Sequence, residues 1–230
     1  MDFFFYLKII GLIIIILSAS IYSYYKFDAK REEEEEEDNF TTNEKTIILL
    51  GDSILKNNTY VKHGKSVEDL LKEKQPNVYS FAKDNSSIVD IYEQLNQIPT
   101  DLNLESTIIF LSVGGNDILS TYMDREETNT NALNPMFAAY KKLIKSIQAK
   151  MNLSRLVLMN IYYPTNIKYN QYKPILQEWN KMVDDYAREE SLKVVRIENV
   201  LVESTDFTVS IEPSETGGVK IVNSMSAYIF

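Results

Sequence analysis

Beyond residue 44 the chain carries five short apolar runs, at Thr46–Leu50, Val78–Phe81, Thr107–Val113, Arg155–Ile161 and Lys193–Ile197. They are rich in Ile, Val and Leu and lack a polar residue at every second position, which predicts strands buried on both faces. Between them apolar residues recur at three-and-four spacing, predicting helices over Ser66–Lys74, Ser87–Gln97, Pro135–Met151 and Tyr172–Ser191, with a last one over Ser214–Met225. The third is clearest, with Met136, Phe137, Tyr140, Leu143, Ile144 and Ile147 on one stripe. Strand and helix in regular alternation predict crossover units, hence a parallel sheet with helices on both faces. The polar stretch Asp124–Asn134 reads as a surface loop.

The first 44 residues follow other rules. Phe3 to Tyr25 is apolar or aromatic apart from Lys8 and a few serines, with Ile9–Leu17 as its centre. That length suits a span of about 30 Å of hydrocarbon, with Tyr22, Tyr24 and Tyr25 at the headgroup level. A cleaved signal peptide is the rival, since Lys8 supplies a basic start and Ser18-Ala19-Ser20 a small-residue site. The uncut anchor is preferred because the tyrosines continue past that site. Lys26, Lys30 and Arg31 outnumber Lys8, a narrow vote that leaves the side of the membrane open. Glu32 to Asp38 is a self-repelling acidic block that buries nothing, so it reads as a solvated linker. The expected organisation is an anchor over 1–27, a linker over 28–44 and one domain over 45–230.

Composition narrows the chemistry. With 230 residues, 44% of them apolar, the chain can bury one sizeable core. A net charge of −9 supplies no basic stripe for phosphates, which excludes nucleic acid as the expected partner. There is no cysteine and one histidine, His63, so thiolate chemistry is absent and a zinc site would need carboxylates almost alone.

Three polar clusters carry the candidate chemistry. The first strand runs into Gly51-Asp52-Ser53, and the carboxyl edge of an open α/β sheet is where ligands sit. Ser53 there is placed as a nucleophile, or else it caps the next helix. The third strand runs into Gly114-Gly115-Asn116-Asp117, where small residues admit a ligand and the Asn116 amide can donate to an oxyanion, unless the four form an ordinary turn. Ile211-Glu212-Pro213-Ser214 precedes the last helix, placing Glu212 in the loop that enters it.

Together the three clusters resemble the SGNH subgroup of GDSL hydrolases, over roughly residues 45 to 227. Gly51-Asp52-Ser53 looks like the block that carries the nucleophile, and Gly115-Asn116-Asp117 like the block whose asparagine donates to the oxyanion. Ile211-Glu212-Pro213-Ser214 followed by Gly217-Gly218 is similar to the last block, and Asn57, Tyr60-Val61, Gly64 and Ser66-Val67 resemble a pattern seen after the serine in one branch. The resemblance implies a flavodoxin-like three-layer α/β/α domain with sheet order 2-1-3-4-5, ester hydrolysis through an acyl-serine, and neither metal nor cofactor.

Two positions differ from the family pattern. Where a glycine N–H normally faces the oxyanion stands Asn85, the non-glycine residue that best tolerates a left-handed backbone. Where the family has Asp-x-x-His stands Val209-Ser210-Ile211-Glu212. Glu212 then becomes the expected base, with burial raising its pKa toward the useful range, while His63 reads as an exposed loop residue. Asp52 and Gly115 support these groups, and Asp206 either orients Glu212 or is a surface acid. The expected function is a membrane-anchored serine hydrolase acting on an acyl or acetyl ester of a lipid or carbohydrate. The alternative is a degenerate domain of the same fold that binds a glycan or lipid without turning it over.

Overall fold

A computed structural model describes residues 20–28, 30–31, 45–122 and 130–230. By its contacts the chain divides into Met1–Glu44 and Lys45–Phe230. Residues 1–19 of the expected anchor and residues 29 and 32–44 of the expected linker lie outside the described residues. Residues 20–28 are helical, and among the described residues no helix is long and apolar enough to cross a membrane.

In the second unit, β1 (Thr46–Gly51), β2 (Val78–Ser80), β3 (Thr107–Ser112), β4 (Arg155–Met159) and β5 (Lys193–Val195) form one sheet in the order β2-β1-β3-β4-β5. Every pairing is parallel, as the alternation of elements predicts. Successive side chains on a strand point to opposite faces, so each apolar run feeds two cores. Ile48, Leu50, Ile109, Leu111, Leu156 and Leu158 face α2 (Ile91–Gln97), α3 (Gly115–Tyr122), α4 (Leu133–Lys150) and α5 (Lys173–Glu189). Ile47, Leu49, Ile108, Phe110, Val157 and Met159 face α1 (Val67–Lys72) and α6 (Glu215–Ile229). Three layers follow directly.

Several boundaries move for local reasons. Ser66 caps α1 and forms a reciprocal box with Asp69, so the helix starts one residue later than expected. The Ser87 N–H and hydroxyl both donate to Asp90, which holds a turn and delays α2 to Ile91. β4 and β5 each stop two residues short of the apolar runs that announced them. Besides short single-turn helices in the loops, α3, which begins at Gly115, and a small hairpin of β6 (Phe207–Thr208) and β7 (Glu212–Pro213) were not expected.

One glycine fixes the sheet's working edge. A Cβ on Gly51 would lie 2.4 Å from the Ser112 carbonyl oxygen, so β1 and β3 close up at their carboxyl ends only with glycine there. Between β1 and β3 the strand order reverses, and the loops leaving the two strands part to opposite faces. Ser53 and Asn116 leave the sheet at this point.

Candidate active site

Ser53 follows β1 in a tight turn in which the N–H groups of Leu55 and Lys56 donate to the Asp52 carbonyl. The turn is supported from behind by Gln94. Its amide accepts from the Gly51 N–H at 2.8 Å and donates to the Gly51 carbonyl at 2.8 Å and to the Ser86 hydroxyl at 2.9 Å. Gln94 is fully buried and occupies the apolar stripe of α2 between Ile91 and Leu95. A buried amide with three partners fixes its neighbours, since an unmade bond there costs about 1–3 kcal/mol.

Asn116 lies in the first turn of α3. Its Nδ2 donates to the Ser86 carbonyl at 3.0 Å, which uses one N–H of the amide and leaves the other for a ligand. Asp117 accepts from the Ile88 N–H, so adjacent side chains clamp the segment that joins β2 to α2. A Cβ on Gly114 would fall 2.5 Å from the Trp179 ring, whereas one on Gly115 would meet nothing within 4 Å. The first glycine therefore serves packing and the second leaves the cleft open.

Glu212 lies on β7 rather than in an irregular loop. The hairpin tip is unusual, because Val209 and Ser210 both have positive φ, 44° and 78°, and a β-branched residue is strained there. Three contacts fasten the segment to the body. Asn57 Nδ2 donates to the Pro213 carbonyl at 3.1 Å while its Oδ1 accepts from the Val67 N–H, the Tyr162 hydroxyl donates to the Ile211 carbonyl, and the Ser214 hydroxyl donates to the Thr205 carbonyl.

Asp52, Ser53, Gly115, Asn116 and Glu212 line one cavity of about 50 Å³, and its apolar wall includes Ile118, Leu119, Ile161, Tyr169, Tyr172 and Leu176. The Ser53 side chain is buried, and its hydroxyl lies against the Glu212 carboxylate. Burial pushes the Glu212 pKa up; the Ser53 hydroxyl draws it partly back and the charge of Asp84 raises it further. Glu212 Oε2 is buried with no hydrogen-bond partner among the described residues. Asp52 is only 2% exposed, and its Oδ1 accepts from the Ile54 N–H and the Ser112 hydroxyl, both at 3.1 Å.

Two expected participants do not line this cavity. Asn85 has the left-handed backbone anticipated for it, with φ 58°, yet its N–H donates to its neighbour's Asp84 Oδ1 at 2.8 Å. Asp206 is neither a surface acid nor a partner of Glu212. It is fully buried, receives the N–H groups of Val202 and Glu203, and pairs with Lys220 at 2.7 Å. Burial opposes its charge, but Lys220 and those N–H groups prevail and hold its pKa below the ordinary value. Its work is to fold the turn before the hairpin. His63 is exposed and does not line the cavity.

Sequence reasoning missed Gln94, Tyr162 and Asp84. Gln94 left a signal, a polar residue inside an apolar helical stripe. Tyr162 looked like any core aromatic. Asp84 accepts from the Tyr60 hydroxyl at 2.6 Å, a pairing that pushes the Tyr60 pKa up to about 12 and that spacing does not reveal.

Comparison with known proteins places this architecture. A model of the GDSL-like lipase/acylhydrolase family matches residues 49–216. Among solved structures, a member of the lipolytic protein G-D-S-L family from Veillonella parvula is similar, with 21% identity, a TM-score of 0.61, and coverage of 79% of this chain and 96% of that one. Phospholipase A1 from Streptomyces albidoflavus is similar at 13% identity and a TM-score of 0.62, covering 80% of this chain and 98% of that one. No curated protein matches the sequence. At these identities the solved structures speak for the fold, and the family match speaks for the class of reaction, ester hydrolysis.

Proposed function

Because the chain belongs to the GDSL-like lipase/acylhydrolase family, we propose that it hydrolyses an acyl or acetyl ester of a lipid or carbohydrate, with Ser53 as nucleophile and Glu212 as base. One observation carries the reading: the Ser53 hydroxyl, the free N–H of Asn116 and the Glu212 carboxylate share one cleft at the strand-order reversal.

Ser53 Oγ attacks the ester carbonyl carbon as its proton passes to Glu212, and the carbonyl π electrons move onto oxygen. The Ser53 N–H, which meets no acceptor among the described residues, and the Asn116 amide stabilise that oxyanion. Collapse expels the alcohol, which takes the proton from Glu212 and leaves an acyl-serine. Water then repeats the sequence, releasing the acid and restoring Ser53. A glutamate suits this role only if its pKa is lifted toward neutrality, and burial acts in that direction here. The Asn85 N–H, engaged by Asp84, is left out of the mechanism.

The apolar wall beside Ser53 favours binding of the acyl side through hydrocarbon contacts. The run Phe3–Tyr25 supports a further reading, that the chain is tethered to a membrane by its amino terminus. Carbonate washing of membranes from expressing cells tests the tether, which predicts retention in the pellet and is overturned by release.

The catalytic reading is tested with a fluorophosphonate probe on the full chain. Wild type is expected to label and Ser53→Ala to lose all labelling, with circular dichroism showing both folded. Folded wild type that stays unlabelled overturns the serine-hydrolase assignment.

A further inference from the structure

The cleft holds two carboxyl groups where a serine hydrolase would ordinarily need one base, and no Lys, Arg or His among the described residues lines it with them. Asp52, Ser53 and Glu212 share its wall. The donors that reach Asp52 are neutral, a backbone N–H and the Ser112 hydroxyl.

The groups facing the pair are negative or neutral as well. Asp84 stands near Glu212 from the segment after β2 and carries the Tyr60 hydroxyl. Tyr162, from the segment after β4, is buried and gives its hydroxyl to the Ile211 carbonyl, and Tyr169 lines the same wall. The charges that act on the pair are those of its own members and of Asp84, all negative. Two carboxylates in one poorly solvated space do not both ionise readily, and such a pair loses its protons in two separate steps.

Depth decides the order of those steps. Asp52 is almost fully buried, while Glu212 is only half-buried. We propose that Asp52 is a positioning residue that gives up its proton only after Glu212 has lost its own, leaving Glu212 the first and, below neutrality, the single anion of the cleft and so the acceptor for the Ser53 proton. This rests on the serine-hydrolase reading above. It explains how a cleft without imidazole keeps one ionised base while avoiding a second negative charge beside a developing oxyanion. The direction of the Asp52 shift agrees: burial first, with the Glu212 charge adding to it, pushes that carboxyl up to about 7.

Two measurements on the full chain, solubilised in detergent, separate the pair from the enzyme reading. In the first, the side-chain carboxyl carbons are followed by NMR as pH is raised. Asp52 is expected to titrate near neutrality, and Glu212→Gln to move its midpoint to lower pH because the opposing charge is gone. A midpoint in the ordinary aspartate range, or one that Glu212→Gln leaves in place, overturns the proposal whether or not the protein hydrolyses anything.

In the second, hydrolysis of p-nitrophenyl acetate is followed against pH after subtraction of the spontaneous rate. With a midpoint near 7, about one-tenth of Asp52 keeps its proton at pH 8, so the wild-type rate is expected to fall roughly tenfold from its maximum. Asp52→Asn cannot ionise and can still accept through its Oδ1, so its rate should change less than twofold between pH 7 and 8. An alkaline limb that persists unchanged in Asp52→Asn overturns the proposal. Absence of probe labelling and hydrolysis at every pH counts against the hydrolase reading alone, and the NMR titration then decides the pair.

Discussion

The two sides of the cleft are built to different standards. The side that carries Ser53 grows out of the sheet: Gly51 is hydrogen-bonded through Gln94 on both its N–H and its carbonyl, and β1 and β3 pair over their full length behind it. The acid's side is a hairpin of two-residue strands whose tip holds Val209 and Ser210 at positive φ. It is fastened by Asn57, Tyr162 and Ser214 rather than by the sheet. The difference shows where precision is inherited from the fold and where separate contacts must supply it. A strand end positions a serine at no added cost, whereas a glutamate 159 positions later in the chain reaches the same cleft only through side-chain straps.

The sharpest test of the acid's side is Glu212→Gln. Removing a general base of this type costs on the order of a hundredfold to ten-thousandfold in kcat/KM, and ester turnover by the folded variant should fall by that amount. A variant within threefold of wild type would move the base elsewhere. On the side that carries Ser53, Gln94→Leu puts an apolar side chain of similar size in place of the amide and strips partners from the Gly51 N–H, the Gly51 carbonyl and the Ser86 hydroxyl. Urea denaturation should show a loss of about 2–4 kcal/mol, with probe labelling slowed as the Ser53 turn loosens. An unchanged midpoint would mean that the turn does not need its buried amide.

The smallest effect sharpens the comparison by relieving strain. Val209→Gly removes the Cβ from a left-handed position, and the release outweighs the added freedom of the unfolded chain, for a net gain of about 0.5–1 kcal/mol in a thermal melt. Destabilisation by the same substitution would show that the exposed valine is held by contacts and that the hairpin is not strained.

The sheet was legible because each strand is apolar on both faces and each helix supplies a stripe for one of them, a pattern with one economical topology. The order of strands followed the family resemblance. α3 was hidden by Gly114-Gly115, which reads as a turn, although only Gly114 is required by a neighbour, the Trp179 ring, and Gly115 simply opens the helix. The hairpin was hidden because two-residue strands have no period to detect and Val-Ser is no turn signal. Asn85 shows both sides of the matter: its left-handed backbone could be argued from the residue type, but the capture of its N–H by Asp84 depends on a side chain choosing a rotamer. Asp206 misled for a different reason. A buried acid is expected only with a partner, and its partner, Lys220, comes 14 residues later on the far side of a glycine pair in the last helix.

The parallel sheet also sets the distance between the domain's entry point and its cleft. Polypeptide enters the domain at Lys45, at the amino end of β1, and Ser53 stands just past the other end of the same strand, about 20 Å away at roughly 3.3 Å per residue. The point where the chain enters the domain and the cleft that holds Ser53 are thus separated by the length of one strand, at opposite edges of the sheet. Changes at the amino end of β1 can therefore be made without touching any group that lines the cleft.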